Sequence, residues 1–299
     1  MELIDAEGLR RRLPMRAAID ALEAAFGGEL PPLPHRTHET TPDGSLFLMP
    51  SAGPQGVGVK LITLTEANRP EGFPFIQGVY VLFRSGTQEP EAVIDGAAMT
   101  GLRTGAVSGL ATRLLARDDA RRLVVFGSAV QARSHIEAIR AVRAIDDVVV
   151  VSPTPAHAEA LAREVDGRTG TADDVREADV ICTCTPSAVP LFDGAWLPEG
   201  VHVNAIGAYT PATRELDGVA MARGRVVVET RDVAMAEAGD LLLAIKDGAI
   251  GPADVEADLQ ETVRGKQVRR SPSDITIFKS VGMAFEDLVI ARAAVGVSS

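Results

Sequence analysis

The chain has 299 residues, of which 46% are hydrophobic, and a formal net charge of −11 at pH 7. It is long enough to bury a sizeable core and to form two domains. The acidic balance, without a concentrated basic face, argues against nucleic acid or an anionic membrane surface as a partner.

The sequence also favours a cytoplasmic protein with no membrane partner. We find no secretory signal and no apolar run of about 18 residues. The only cysteines, Cys182 and Cys184, lie two apart in a segment that is typical of a buried strand. This spacing does not form an ordinary disulfide framework, so it fits a reducing compartment.

The first hundred residues predict a β-rich α+β module. Residues 15–26 have the apolar periodicity of an amphipathic helix. Glycine, proline and asparagine turns then separate three predicted strands, over 45–50, 58–64 and 78–83. A second helical pattern covers residues 100–117 and leads towards the next module.

From residue 121 onward, apolar strands alternate with helices, which predicts a doubly wound parallel sheet. After an opening strand and helix, the predicted strands cover 147–151, 179–185, 201–206 and 225–229. The predicted helices cover 156–165, 232–245 and 253–264, and a last apolar segment, 275–282, runs into a helix near 283–294.

The turn after the opening strand is a candidate dinucleotide site. It reads Gly127-Ser128-Ala129-Val130-Gln131-Ala132, so it carries little bulk and leaves the N–H groups of the coming helix open to a pyrophosphate. A second glycine is usual where Ala129 stands, and taken alone the pattern also fits a plain strand-to-helix turn.

Ribose recognition is expected where the second strand ends. No Asp or Glu stands there, whereas Ser152 and Thr154 are able to hydrogen-bond to a ribose hydroxyl or to a 2′-phosphate. We therefore predict NAD(P)(H) as the cofactor and lean to NADP(H), although arginine is also missing from this loop.

Three separated cations of the first module, Arg36, Lys60 and Arg103, are candidate substrate-binding and catalytic residues. A lone cation is usually a solvated surface residue, but Lys60 lies inside an apolar strand, where a charge needs a carboxylate or a shifted pKa. Two guanidinium groups can hold a carboxylate, and a nearby ammonium group can protonate an imine.

Six segments in order resemble the ornithine cyclodeaminase and mu-crystallin family. They are Leu48-Met-Pro50, Gly58-Val-Lys60, Asp95-Gly96 with Thr100-Gly-Leu-Arg-Thr104, Gly127-Ser-Ala-Val-Gln-Ala132, Asn204-Ala-Ile-Gly207 with Arg214-Glu-Leu-Asp217, and Phe278-Lys-Ser-Val-Gly282 with Asp287-Leu288. The resemblance covers nearly the whole chain.

The resemblance implies an α/β fold in which a Rossmann-type doubly wound parallel sheet is inserted into an α+β substrate-binding and dimerisation domain. We expect the substrate-binding domain over 1–115 and 280–299, the dinucleotide-binding domain over 116–279, and a homodimer. It also implies that Arg36 and Arg103 bind the substrate carboxylate and that Lys60 acts at the reacting atoms. The expected cofactor-binding residues are Thr104, Gly127, Ser128, Ala129, Val130, Gln131, Ser152, Thr154, Thr185 and Gly207.

One departure chooses among the activities of the family. Cyclodeaminases carry an aspartate that acts as a general base two residues past the glycine that matches Gly207, but here Tyr209 stands there. Tyrosine, with a pKa of about 10, is a poor base at neutral pH. Our hypothesis is an NAD(P)H-dependent reductase of a small imino acid, such as pyrroline-2-carboxylate or piperideine-2-carboxylate. The alternatives are ornithine cyclodeaminase and a nucleotide-binding protein without turnover.

We predict no metal site. His35 and His38 lie in a proline-rich loop without a clear carboxylate partner, and such histidines are more often exposed than metal ligands.

Overall fold

The computed structural model describes residues 1–53, 55–68 and 73–296. In chain order, its strands are β1 (Glu2–Ile4), β2 (Thr37–Thr41), β3 (Gly44–Gly53), β4 (Gly56–Leu64), β5 (Ile76–Phe83), β6 (Pro90–Asp95), β7 (Arg122–Phe126), β8 (Asp147–Val151), β9 (Arg168–Thr169), β10 (Val180–Thr183), β11 (His202–Ala205), β12 (Arg225–Val228), β13 (Val255–Asp258) and β14 (Thr276–Lys279). Its α-helices are α1 (Ala6–Arg12), α2 (Met15–Gly27), α3 (Gly96–Leu115), α4 (Val130–Val142), α5 (Pro155–Glu164), α6 (Gly218–Arg223), α7 (Arg231–Glu237), α8 (Gly239–Lys246), α9 (Leu259–Val263) and α10 (Ala284–Val295).

The chain forms two compact units. The first unit comprises Met1–Arg103 and Met283–Ser299, and the second comprises Thr104–Gly282. In sequence, the second unit is therefore inserted into the first.

The first unit is built on a mixed sheet with the strand order β1-β6-β5-β4-β3-β2. Strands β2 to β6 pair with antiparallel neighbours, and β1 is parallel to β6. Buried and more exposed residues alternate along β4, and α10 packs against β3, β4, β5 and α2. The helix predicted over 15–26 and the strands predicted over 45–50, 58–64 and 78–83 are confirmed.

The second unit is built on a parallel sheet with the strand order β13-β12-β14-β11-β10-β7-β8-β9. Strand β7 lies between β8 and β10, and the chain continues first to β8 and β9 on one side of β7 and then to β10 on the other. Such a reversal creates a crevice at the carboxyl ends of the strands, where open α/β sheets bind ligands. The predicted Rossmann-type fold is confirmed.

Two helix predictions in this unit are wrong in detail. The predicted helix 253–264 is instead strand β13 followed by the short helix α9. Val255 and Ala257 are buried in the sheet and alternate with the partly exposed Glu256 and Asp258, so these acidic residues belong to an edge strand and do not mark a helical face. The stretch 232–245 is divided at Ala238, whose extended backbone ends α7 before α8 begins.

Within the described residues, no helix is long and apolar enough to cross a membrane. Cys182 is buried in β10, Cys184 follows that strand, and both are free thiols.

Candidate active site

Lys60 is the centre of a buried polar cluster in the first unit. It lies on β4 between Met49 of β3 and Tyr80 of β5, and its side chain is fully buried. Its Nζ lies 2.8 Å from each carboxylate oxygen of Asp287, in the first turn of α10. The charge that an apolar strand could not accommodate is thus compensated by a residue that lies 227 positions away in the sequence.

Arg103 forms a second ion pair with the same helix turn. Its Nη1 donates to Glu286 Oε2 at 3.0 Å, and its Nε lies 3.5 Å from Asp287 Oδ1. Both carboxylates are fully buried, and their position at the N-terminus of α10 is favoured by the helix dipole. The first turn of α10 therefore orients both cations.

Burial lowers the pKa of Lys60 to about 8, against the opposing effect of Asp287. The charges of Arg103 and Arg36 lower this pKa further, so all three predicted cations act on one another within the first unit. An ammonium group with a pKa near neutrality is mostly protonated yet releases its proton readily.

Around Lys60, sequence reasoning missed Glu286 and Tyr80, and it named Asp287 only within a family segment, without a role. Tyr80 is fully buried opposite Lys60, and burial, followed by the charge of Asp287, raises its pKa well above the ordinary value. The available signal for the carboxylates was an acidic pair at the start of an otherwise apolar final helix, Ala284-Phe-Glu-Asp-Leu-Val-Ile.

The candidate pyrophosphate turn lies at the carboxyl end of β7 in the second unit. Gly127 has φ of 116°, and a Cβ there would come within 2.8 Å of the Cys184 carbonyl oxygen, so only glycine fits this approach to the end of β10. Ala129 is the N-cap of α4 and makes no side-chain capping hydrogen bond. The start of α4, from Val130 onward, is a candidate anion site, because the N-terminus of a helix directs backbone N–H groups and a positive dipole end outward.

Ser152 and Thr154 lie at the neighbouring strand end. The Oγ atoms of Ser128 and Ser152 are 3.1 Å apart, and the Thr154 N–H points to Ser152 Oγ at 3.4 Å. The serine pair thus joins the ends of β7 and β8. It puts hydroxyl groups where a charged residue would otherwise discriminate between the two nicotinamide cofactors.

Thr185 and Gly207 follow β10 and β11 at the same edge of the sheet. Glu215, which is fully buried, accepts hydrogen bonds of 2.7 Å from the Thr185 N–H, the Thr185 hydroxyl and the Gly207 N–H. Thr104 is buried, and Gly105 beside it lies against Ser134 of α4. Apart from Thr104, the predicted cofactor residues therefore follow the carboxyl ends of β7, β8, β10 and β11.

The structure also locates His38 and Tyr209, which the sequence analysis discussed. His38 stacks on Phe47 at 4.6 Å, and its Nε2 lies 3.0 Å from Ser45 Oγ. In the described part of the chain, no group of three or more His, Cys, Asp or Glu residues has the arrangement of a metal site. Tyr209 is partly exposed in the loop after β11.

The residues at this edge of the sheet fit a dinucleotide. Gly127 provides a tight turn, the N-terminus of α4 can face a pyrophosphate, and the hydroxyls of Ser128 and Ser152 can bind a ribose. With the buried lysine–aspartate pair of the other unit, they define a nicotinamide-dependent oxidoreductase of the Rossmann type. The chain belongs to the ornithine cyclodeaminase/mu-crystallin family, which it matches over residues 5–295.

Three known proteins show the extent of the similarity. The chain is 38% identical over 258 residues to a Delta(1)-pyrroline-2-carboxylate reductase of Bacillus cereus, covering 82% of this chain and 79% of the relative. The structure of the Thermococcus litoralis Delta(1)-pyrroline-2-carboxylate reductase with NADH and L-proline has a TM-score of 0.94 and 31% identity, covering 99% of this chain and 96% of that one. An archaeal alanine dehydrogenase dimer with bound NAD has a TM-score of 0.91 and 30% identity, covering 99% and 95%.

Proposed function

We propose that the protein is an NAD(P)H-dependent reductase of a small imino acid, a cyclic ketimine such as pyrroline-2-carboxylate or piperideine-2-carboxylate. The observation that carries the proposal is Lys60, a fully buried ammonium group with a pKa of about 8 that is held by Asp287 and lies near two arginines. The similarity to the reductases of Bacillus cereus and Thermococcus litoralis supports the same substrate class.

The first unit supplies the substrate chemistry in this proposal. Arg36 and Arg103 bind the substrate carboxylate, because a guanidinium group matches its geometry. The bound nicotinamide supplies the hydride that reduces the imine carbon. Lys60 provides the proton for the nitrogen, and Asp287 keeps its ammonium group oriented. One proton and one hydride thus convert the C=N bond to an amine.

The second unit binds the dinucleotide in this proposal. The turn from Gly127 to Gln131 would hold its pyrophosphate and Ser152 and Thr154 would bind its adenosine ribose. Thr104, Thr185 and Gly207 would line the rest of the site. The serine hydroxyls at the end of β8 accept either cofactor, with NADP(H) favoured by the missing carboxylate. The similar reductase and dehydrogenase structures contain NADH and NAD. The ratio of kcat/KM for NADPH and NADH tests this preference, and a ratio below one would exclude it.

We also propose that the protein is a cytoplasmic homodimer that associates through the outward face of the first unit's sheet. Leu48, Leu61 and Val79 form one row across β3, β4 and β5, and all three are partly exposed. An apolar row of this kind is typical of an interface. Leu61→Glu is expected to shift the protein from dimer to monomer in light scattering, and Val219→Glu, at an exposed apolar residue on α6 of the second unit, is the control that should stay dimeric.

A second candidate is the NAD-dependent dehydrogenation of a small amino acid, which the similarity to alanine dehydrogenase favours. The same cluster would then bind a linear imine formed from a 2-oxo acid and ammonia. Ornithine cyclodeaminase receives less support, because Tyr209 stands where that reaction needs a base.

A substrate panel separates these functions. NADH and NADPH are incubated with pyrroline-2-carboxylate, with piperideine-2-carboxylate and with pyruvate plus ammonia, and NAD⁺ is incubated with ornithine. Cofactor oxidation with the cyclic imines supports the proposal, and a preference for pyruvate plus ammonia favours the second candidate. Release of ammonia and proline from ornithine would overturn both, and cofactor binding without turnover in any mixture would indicate a binding protein.

A further inference from the structure

Glu215 is a buried carboxylate that the proposed chemistry does not use. It is fully buried, and each of its oxygens accepts two hydrogen bonds of 2.7 Å. Oε1 accepts from the N–H and the hydroxyl of Thr185, and Oε2 accepts from the Thr183 hydroxyl and the Gly207 N–H. All four partners donate, so the set matches an ionised carboxylate, which only accepts.

These four bonds join two neighbouring strand ends. Thr183 and Thr185 lie at the carboxyl end of β10, and Gly207 follows the adjacent strand β11. A Cβ on residue 207 would lie 2.0 Å from the Thr185 carbonyl oxygen and 2.6 Å from Glu215 Oε1. Glycine is therefore needed at residue 207 because the loop closes onto Glu215.

A second carboxylate orients Glu215 itself. Asp240 Oδ1 accepts from the N–H groups of Glu215 and Leu216, at 2.7 and 2.8 Å. Its other oxygen lies 2.9 Å from Lys279 Nζ, which also donates to the Ala205 carbonyl at the end of β11. The arrangement is thus a three-residue support, Lys279–Asp240–Glu215, that is fully buried beneath one edge of the sheet.

The same edge carries the pyrophosphate turn. Gly127 is in close contact with Cys184, the residue between the two threonines. Any displacement of Thr185 therefore reaches both the turn after β7 and the loop after β11. Hydrogen bonds to a buried charged acceptor are strong and directional, so their loss leaves both loops without a fixed position.

We propose that Glu215 is a positioning residue for the nicotinamide dinucleotide: by holding Thr185 and Gly207 together, it maintains the shape of the crevice at the ends of β7, β10 and β11. This inference rests on the proposed use of that crevice by NAD(P)H. It predicts a selective role in cofactor affinity, whereas the substrate cations of the first unit are unaffected.

The test compares Glu215→Gln with Asp217→Asn. Glutamine keeps the size of the side chain but presents an NH₂ group to two of the four donors. Asp217 lies two residues away and accepts from the N–H groups of Gly194 and Ala220, with no bond to Thr185 or Gly207. NADH binding is measured without substrate by energy transfer from Trp196, the only tryptophan of the chain, and kcat is measured at saturating NADH.

For Glu215→Gln we expect the NADH dissociation constant to rise about tenfold or more, as the loss of charge-assisted hydrogen bonds implies, while kcat changes less than about threefold. Asp217→Asn should lower the melting temperature without shifting NADH affinity. Because Glu215→Gln leaves a buried mismatch, Thr183→Val serves as a milder variant: it removes only one donor to Oε2 and should raise the dissociation constant by about threefold.

Several outcomes would overturn the inference. Wild-type NADH affinity in folded Glu215→Gln or, if that variant does not fold, in Thr183→Val would do so, as would an equal loss of affinity in Asp217→Asn. If the wild-type protein bound neither NADH nor NADPH, the proposed function would fail with it. Cofactor binding that depends on Glu215, but without imine reduction, would leave the inference standing and reject the proposed function alone.

Discussion

The two units each bury a lysine beside a carboxylate. The neighbours of the two lysines differ, and this difference distinguishes a proposed catalytic lysine from a structural one. Lys60 is bound to Asp287 but also lies near Arg103 and Arg36, and burial together with these cations lowers its pKa to about 8. Lys279 is bound to Asp240 and to the Ala205 carbonyl, which are both acceptors. The first site leaves its proton available, whereas the second site uses its charge to hold a loop.

The burial of a charged residue therefore does not indicate its function unless the residues around it are also known. Cations near Lys60 lower the free-energy cost of losing its proton, whereas Lys279 lies beside a carboxylate and a carbonyl oxygen that both accept its hydrogen bonds. By the same reasoning we propose a supporting role at the cofactor site for Glu215, which has four donors, and a role in the substrate site for Asp287, which has two cations.

The largest effect that tests this contrast is the loss of turnover in Lys60→Ala. We expect imine reduction to fall by about 10³-fold or more, because proton transfer and substrate orientation are lost together. NADH affinity should stay within about threefold, since Lys60 belongs to the other unit. Lys279→Met should show the opposite pattern, with a raised KM for NADH and a largely retained kcat. A large loss of NADH affinity in Lys60→Ala would show that Lys60 is misplaced in the proposal.

Arg103→Lys is expected to raise the KM for the imino acid by about 10- to 100-fold, because a lysine cannot bind a carboxylate in the bidentate geometry of a guanidinium group. Steady-state kinetics at saturating NADH measure this effect. The matched control is Arg113→Lys, near the end of the same helix, which should leave KM unchanged. An unchanged KM in Arg103→Lys would mean that Arg103 serves only to orient Glu286 and Asp287.

The pH profile sharpens the assignment of the proton donor. Lys60 carries its proton below its pKa of about 8, so kcat/KM for imine reduction should fall by about tenfold per pH unit above that value. Asp287 raises this pKa, and Asp287→Asn should therefore move the alkaline limb to lower pH. A limb that stays in place, or moves upward, would contradict a Lys60 donor.

The smallest expected effect concerns the pyrophosphate turn. Ala129→Gly should leave NADH affinity unchanged or improve it by up to about tenfold, since removal of the methyl group allows closer approach of the pyrophosphate. Ala129 is exposed and its backbone is extended, so the fold should tolerate the change. A marked loss of affinity in titrations would mean that the pyrophosphate is held elsewhere.

Most of the fold was predictable because its signals are local. Arg122–Phe126 and Asp147–Val151 are short apolar runs, and they form β7 and β8. The failure at residues 253–264 has the opposite cause. Val255–Asp258 is a strand only because it pairs with β12, and Arg225 pairs with Glu256 across that ladder. The periodicity of a single segment contains no information about the neighbouring strand with which it pairs.

The sequence by itself determined the candidate functional residues: a lysine in an apolar strand, two arginines, and a glycine turn between a strand and a helix. A charged residue in an apolar strand and a glycine turn are both local sequence patterns, so they can be recognised without knowing which residues they contact in the fold. Only the tertiary structure decided what the charges do. It brought Asp287 to Lys60 and Glu286 to Arg103 by returning α10 to the first sheet, and it placed Glu215 between Thr185 and Gly207. The pKa of a buried group depends on neighbours that are distant in sequence, so its role is set by packing and not by the residue type alone.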